Sequence, residues 1–355
     1  MARFGLDLTW LRPDRVSGTE RYALELVPAL ARLAPGELVL FARPDLPPRL
    51  AALDVECRIA TVLTRVALDQ GWLPWAAARA SIDLLHMLAS PTPVLWRGVA
   101  AMTIHDATPW LHPDDAGSRW LSRPLYPQAI ARAAAIFTVS EAARDDLVRT
   151  AGAPRERIFV TPNGVDPAFF ELRPPEGPRP RYLLAVGTFE PRKNLPVLLE
   201  AFRRLRREGR DLQLVVAGRQ AFTQLLPLGE LAPHVRLTGL VPDEELRTLY
   251  AGAACFVMPS LHEGFGLPLA EAMAAGVPAV ASDIPALREV GGEAVRYAHP
   301  GDPDAFAAAI RAALDDVEGS QLRVAAARGR ARRFRWEDTA RATLAAYRRI
   351  VRRRR

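Results

Sequence analysis

Apolar residues along this chain come in two kinds of stretch: short, nearly continuous runs, and longer segments in which they recur every three or four positions. The first is the pattern of strands buried on both faces, the second that of helices with one apolar side. Strand-type runs lie at 3–10, 37–43, 55–60, 83–87, 100–106 and 135–140, with helical patterns between several of them. A helix is predicted from Thr19 to Leu33, where Ser17 and Glu20 have the spacing of a capping box. Another starts at Glu141, with Ser140 as its cap. The stretch from Trp110 to Pro127 shows no period and reads as irregular, and Asn163-Gly164 reads as a turn. A proline-dense, charged stretch at 171–181 then reads as a stiff linker. The alternation restarts after it. Strand runs fall at 182–187, 212–218, 235–240, 255–260 and 277–282, helical patterns at 195–208, 241–253, 269–275 and 302–316, and two further helical segments follow. Strand–helix alternation, repeated twice, argues two α/β domains, each built on a parallel, doubly wound sheet.

The length of 355 residues accommodates two such domains, and 49% hydrophobic residues with no membrane-length apolar run describe a globular protein in water. Asp7 interrupts the apolar run at the N-terminus, which reads as a first strand and not as a signal peptide. The expected location is therefore cytoplasmic. Cys57 and Cys255 both fall in strand-type runs and are expected to be core residues, with no disulfide or metal site. The net charge of +7, partly concentrated in the terminal RRIVRRRR, suits nucleic acid, anionic lipid or an acidic substrate. No nucleic-acid motif or aromatic-interleaved basic stripe accompanies it, so a nucleic-acid partner is not expected.

One feature of composition sharpens the search. Lys193 is the only lysine among 47 basic residues, and asparagine occurs only at Asn163 and Asn194. A coding bias toward Ala, Arg, Gly and Pro removes Lys and Asn wherever another residue will serve. Positions that escape it are candidates for chemistry that arginine cannot supply.

The densest candidate chemistry lies between Met258 and Val280. Gly264 and Gly266 allow a tight turn and close approach of a ligand. Pro268 suits the first turn of the helix that follows, and Gly276 its end. The amides around Phe265 to Leu267 have no acceptor within that helix and lie at the positive end of its dipole, a seat for phosphate. Glu263 and Glu271 flank the seat with groups that accept hydrogen bonds from sugar hydroxyls. Arg192 and Lys193 stand after the first strand of the second domain, where they would bracket a diphosphate. His105 and Asp106 end a strand at the carboxyl edge of the first sheet, where ligands bind in open α/β folds. The only evident D-x-D, Asp302 to Asp304, starts a helix and is better explained by capping than by a metal.

Glu263 and Glu271, with the seven residues GFGLPLA between them, resemble the E-x7-E motif of retaining glycosyltransferases of family 4. The resemblance spans nearly the whole chain, strongly in the second domain and more weakly in the first. It implies the GT-B fold: two Rossmann-like doubly wound domains facing across a cleft. The expected layout is an acceptor domain at 1–172, a linker at 173–181, a donor domain at 182–335 and a final helix at 336–355 that packs back on the first domain. In such enzymes the first Glu contacts donor-sugar hydroxyls and the second the ribose, the Arg/Lys pair binds the diphosphate, and a His near the position of His105 touches the sugar. Catalysis is thereby assigned to His105, Glu263, Lys193 and Arg192. Gly18, Asp106, Gly187, Val241, Gly264, Phe265, Gly266, Leu267 and Glu271 complete the donor site. Thr188 stands where some members have a further arginine, which loosens the alignment of Arg192 but not that of Lys193. Trp110, His112 and Tyr126 are assigned to the acceptor, with a hydrophobic flap as the other reading of that stretch.

The implied activity is metal-independent transfer of a hexosyl group from a nucleotide sugar to a glycan, lipid-linked or small hydroxyl acceptor, in polysaccharide biosynthesis. The EPRKN loop leans toward mannosyl and GDP-mannose. No cofactor is expected beyond the donor itself, and the basic surface permits contact with the inner face of an anionic membrane. A nucleotide-sugar epimerase or hydrolase of the same fold, and more distantly a basic nucleic-acid binder, are the competing readings.

Overall fold

Every strand among the described residues pairs in parallel with its neighbours, in two separate sheets. The computed structural model describes residues 2–12, 17–61, 64–112, 123–173, 181–219 and 228–353. The chain forms two units, one of Met1–Gly164 with Arg335–Arg355, the other of Val165–Phe334.

The first unit begins with β1 (Phe4–Asp7), α1 (Gly18–Leu33), β2 (Leu38–Ala42), α2 (Pro48–Ala51) and β3 (Glu56–Ile59). A helical stretch of α3 (Arg65–Ala67), a π-helical turn and α4 (Leu73–Arg79) leads to β4 (Leu84–Met87) and β5 (Ala100–Thr103). Then come α5 (Thr108–Leu111), α6 (Tyr126–Arg132), β6 (Ala135–Thr138), α7 (Glu141–Ala151) and β7 (Ile158–Val160). The sheet order is β3-β2-β1-β4-β5-β6-β7. Both predicted caps are present: Ser17 and Glu20 form a capping box on α1, and Ser140 Oγ accepts from the Ala143 amide at 2.9 Å.

The second unit runs β8 (Tyr182–Val186), α8 (Leu195–Arg207), β9 (Gln213–Ala217), β10 (Val235–Gly239), α9 (Asp243–Gly252), β11 (Cys255–Met258), α10 (Leu267–Ala275) and β12 (Ala279–Ser282). It continues through α11 (Pro285–Gly291), β13 (Arg296–Ala298), α12 (Pro303–Asp315) and α13 (Val317–Ala331). Its sheet order, β10-β9-β8-β11-β12-β13, is the 3-2-1-4-5-6 order of dinucleotide-binding folds when counted within the unit. The last helix, α14 (Trp336–Arg352), belongs to the first unit. Its buried stripe of Trp336, Ala340, Leu344, Tyr347 and Val351 repeats at helical spacing and packs against α1. Each large apolar side chain in it contributes on the order of 1.5–3 kcal/mol.

The division between the units falls at Gly164/Val165, ahead of the proline-dense stretch, of which 174–180 lie outside the described residues. Phe169 explains the position: its ring packs edge-on against Tyr250, which ties 167–171 to the second unit.

Three expectations need correction. Cys57 is exposed, because β3 is an edge strand that leaves its residues open to solvent; Cys255 is buried as expected. The stretch from Trp110 to Pro127 is not irregular throughout: Trp110 and Leu111 end α5, Tyr126 and Pro127 begin α6, and 113–122 lie outside the described residues. His105 and Asp106 lie beyond the end of β5 at Thr103, because Asp106 turns the chain by accepting from the Thr108 amide at 2.9 Å. Among the described residues, no helix is long and apolar enough to cross a membrane.

Candidate functional site

In the second sheet the strand order reverses between β8 and β11, so the loops leaving their carboxyl ends part and leave room for a ligand. The loop after β8 carries Gly187, Arg192 and Lys193, and the loop after β11 carries Glu263 to Gly266. At the floor of this region the chain approaches itself closely. A Cβ on Gly218 would collide with the Gly187 carbonyl, and the Gly218 amide donates to the Gly239 carbonyl at 2.9 Å. These bonds bring the turn before Val241 to the same edge. A small recess there is lined by Gly187, Thr188, Lys193, Met258, Pro259 and Ser260.

The two loops are fastened together. A 3₁₀ turn, Pro191–Lys193, ends at Asn194, whose φ of +55° lies in the left-handed region that asparagine tolerates better than most residues. From that position its Nδ2 donates to the Pro259 carbonyl at 2.9 Å and the Pro300 carbonyl at 2.6 Å. The Leu261 amide donates to the Arg192 carbonyl at 2.8 Å. The backbone on both sides of the cations is therefore fixed before any ligand arrives.

Lys193 Nζ lies 2.6 Å from Glu263 Oε1, while Arg192 Nη1 is 3.5 Å from Glu263 Oε2 and its Nη2 3.0 Å from Glu190. The cluster is mostly withdrawn from water, with side-chain exposures of 14% for Lys193, 15% for Arg192 and 8% for Glu263. Burial alone would push the Glu263 carboxyl up, but Lys193 and Arg192 outweigh it and hold the carboxyl below the usual range. Burial, and then the Arg192 charge, pull the Lys193 ammonium below its ordinary value, with Glu263 partly restoring it.

Gly266 precedes α10 with φ +94°, and a Cβ there would overlap a Leu287 methyl, so both backbone and space call for glycine. Pro268 has no N–H and the Leu269 amide already donates to the Gly266 carbonyl at 2.9 Å, so the anion seat reduces to Leu267 and the loop before it. Phe265 is buried and packs edge-on against Phe334. Glu271 is 4% exposed, and its Oε2 accepts from the Tyr250 hydroxyl at 3.0 Å; the hydroxyl oxygen of Tyr250 also lies 3.2 Å from the Pro268 carbonyl. Tyr250 is held in turn between Phe169 and Phe256.

The first unit holds the remaining candidates. His105 Nε2 is 3.0 Å from the Leu88 carbonyl; a carbonyl only accepts, so Nε2 carries the proton. The Tyr22 ring packs edge-on against the His105 ring at 4.7 Å. Behind it runs a buried chain: Tyr22 to Thr103, Thr103 to His86 at 2.9 Å, and His86 to Tyr347. Burial, with His105 nearby, pushes the His86 pKa down to about 3 and keeps it neutral. Asp106 spends one oxygen on the Thr108 amide. Gly18 opens α1, and apart from its chain neighbours and its own helix no atom of the described residues comes within 4 Å of where a Cβ would stand. Tyr126 is 5% exposed and belongs to the first unit's core, and Trp110, its ring 5.2 Å away, packs against that core. His112 is half-buried just after α5. Asp302 caps α12, accepting from the amides of Asp304 and Ala305, both at 2.9 Å, and Asp304 pairs with Arg204.

Sequence reasoning passed over four residues that shape the site. Asn194 carried a signal, as one of two asparagines that escaped the coding bias. Glu190, Tyr250 and Gly218 carried none, since each acts through a partner distant in sequence or through backbone proximity.

Residues 16–169 match the family described as Glycosyltransferase Family 4, and residues 180–316 match Glycosyl transferases group 1. The chain is 35% identical over 267 residues to the O-antigen chain mannosyltransferase B of Escherichia coli, covering 70% of each chain. It is 34% identical over 262 residues to the MMP alpha-(1->4)-mannosyltransferase of Mycolicibacterium hassiacum, covering 66% of this chain and 61% of that one. Among solved structures, HepE of Anabaena in complex with UDP-glucose superposes with a TM-score of 0.76 at 16% identity, over 98% of this chain and 100% of that one.

Proposed function

The chain belongs to glycosyltransferase family 4, with the GT-B fold, and on that premise we propose that it moves a hexosyl group, mannosyl by preference, from a nucleoside diphosphate sugar to a hydroxyl acceptor. Glycan, lipid-linked and small-molecule acceptors are all within this proposal. Transfer retains the anomeric configuration and uses no metal. The observation that carries the reading is the fastened pair of loops at the sheet's switch point, with Lys193 and Arg192 beside Glu263 and the start of α10.

The chemistry follows from where charge develops. The bond from the anomeric carbon to the phosphate oxygen breaks, the acceptor oxygen bonds to that carbon, and the acceptor's proton leaves with the diphosphate. Negative charge grows on the leaving phosphates and positive charge on the sugar. Lys193, Arg192 and the amides before α10 face the first; fixed donors aimed at developing charge are usually the largest catalytic term. Glu263 faces the second and orders the sugar hydroxyls, while Glu271, positioned by Tyr250, takes the ribose. The proposal gives His105 a contact with the donor sugar. It leaves acceptor contacts to Trp110, His112 and Tyr126. A lipid-linked acceptor would bring the basic surface against the inner face of a membrane.

The relatives named as mannosyltransferases support a mannosyl donor, and the fold shared with a UDP-glucose complex keeps uridine donors in contention. A thermal-shift panel of GDP-, UDP- and other nucleotide sugars tests the reading, because a ligand that binds only the folded state raises its melting temperature. GDP-mannose is expected to give the largest rise, and the product's anomeric proton to report the donor's configuration. Rapid complete donor turnover without acceptor would instead identify a hydrolase or epimerase. No shift with any nucleotide sugar would remove the proposal.

A further inference from the structure

We infer that Glu263 is the resident counter-ion of the diphosphate-binding cations, and that the donor binds by exchange. Its diphosphate takes Lys193 and Arg192 away from Glu263, and the released carboxylate turns to the sugar hydroxyls. The inference rests on the donor site proposed above and adds to it an order of events and a means of telling donor from product.

The geometry shows one carboxylate held from both sides. Lys193 Nζ engages Oε1 at 2.6 Å and Arg192 Nη1 stands 3.5 Å from Oε2, while Glu190 takes the other end of Arg192 at 3.0 Å. Two cations face two carboxylates, so the cluster is formally neutral. A diphosphate approaching it meets no net attraction until one carboxylate withdraws.

The surroundings decide which one moves. Arg192 and Lys193 sit in a turn whose backbone is pinned through Asn194 and Leu261. Glu190 caps the same turn at its N-terminal side, and the Lys193 amide donates to its carbonyl at 2.9 Å. Glu263 belongs to the other loop and is followed by Gly264 and Gly266, the residues with the most backbone freedom in the region. It is also the carboxylate to which both cations turn.

Glu263 is 8% exposed, so it cannot be released into nothing: a buried carboxylate without a partner is strongly disfavoured. In a nucleotide sugar the new partner arrives with the displacing group, since the hydroxyls lie next to the diphosphate. A nucleoside diphosphate, which lacks the transferred sugar, takes the cations and returns no sugar hydroxyl to Glu263. The pair therefore favours the intact donor over the spent nucleotide. After transfer, Glu263 returns to Lys193 and helps expel the product.

Titration calorimetry with GDP and GDP-mannose, and with UDP and UDP-glucose in parallel, tests this on the full chain. Glu263→Gln is expected to bind the nucleoside diphosphate about tenfold more tightly than the wild type, an effect of about 1.4 kcal/mol. The same variant gains nothing toward the nucleotide sugar, because the hydroxyls lose their carboxylate, and its turnover falls. Glu190→Gln, which also removes a negative charge from the cluster, is expected to tighten both ligands alike. Should Glu263→Gln fold poorly by circular dichroism, Glu263→Ala gives the same test with the same expected direction. Unchanged diphosphate affinity, or equal tightening of diphosphate and nucleotide sugar in the Glu263 variant, overturns the exchange and leaves the donor site standing. If no nucleotide binds the wild type, or Lys193→Ala binds as well as the wild type, the donor site falls and the exchange falls with it.

Discussion

The chemistry proposed for Lys193 depends on a compact cation in a tight place. Its amine lies 2.6 Å from Glu263 and its stem packs beside Gly187, within ordinary contact of where a Cβ would stand. An arginine there would present a larger planar fork and displace Glu263. Lys193→Arg is therefore expected to lower kcat by roughly 100-fold, the scale of losing one transition-state donor. Its melting temperature should stay close to wild type; retained kcat would show that any cation serves. This residue was legible in the sequence because it resisted a strong compositional bias. Asp7 was not, because a single acid in an apolar run has no periodic signature. It is fully buried and accepts from the Thr9 amide at 3.0 Å, the Thr9 hydroxyl at 2.6 Å and the Ser90 hydroxyl at 3.1 Å. Burial raises its carboxyl from 3.8 to about 6, with Thr9 and Ser90 opposing the rise and Asp69 adding to it. A raised acid pKa means that the folded state holds its proton more tightly than the unfolded chain. That stability is fully present below pH 3.8 and is lost as pH rises through about 6. Asp7→Asn escapes the loss, so its stability relative to wild type should improve between pH 4 and pH 8 by on the order of 2–3 kcal/mol. Denaturation at the two pH values measures this, and a pH-independent difference would refute it.

At the scale of elements, α10 is the helix to which the proposal gives chemistry as well as stability. It is bounded by two glycines in the left-handed region, Gly266 at φ +94° and Gly276 at φ +76°. Alanine at either position incurs strain on the order of 1–2 kcal/mol, so both variants should melt lower. Only Gly266→Ala also disturbs the phosphate seat, so it alone should lose most of its turnover while Gly276→Ala keeps it. Equal turnover in the two variants would separate α10 from the chemistry. The helix was readable because glycine, proline and a run of apolar residues coincide over few positions. Strand β13 was not: it has three residues, of which only Ala298 is buried, too short a run to stand out from loop. β3 was readable as a strand at 55–60 but not as an exposed edge, because its apolar residues do not record burial. Trp110 to Pro127 misled for another reason: Trp110 and Leu111 close one short helix and Tyr126 and Pro127 open another, each too short to show a period within the stretch.

At the scale of the molecule, two rounds of strand–helix alternation were enough to forecast two parallel sheets. What pattern alone left open was the path of the chain, which leaves the first unit after Gly164 and returns to it at Arg335 with α14. That return depends on contacts remote in sequence, such as Tyr347 with His86 and the α14 stripe against α1. Nucleotide binding should be confined to the second unit in a way that hydrogen exchange can map. A bound nucleoside diphosphate is expected to slow exchange at 187–194 and 259–267, and slowing elsewhere without change there would point to a different site. The central claim, that the diphosphate is gripped by Lys193, admits a still more direct measurement, because the chain has no other lysine. Burial and Arg192 lower the pKa of this amine and so raise its free-base fraction, which favours reaction with a small acylating reagent. Peptide-resolved mass spectrometry, with the α-amine as internal reference, follows its modification with and without saturating GDP and UDP. The account predicts that one of these nucleotides protects Lys193 almost completely and leaves the α-amine unaffected. Equal modification of Lys193 in the presence of a nucleotide shown to be bound would contradict it.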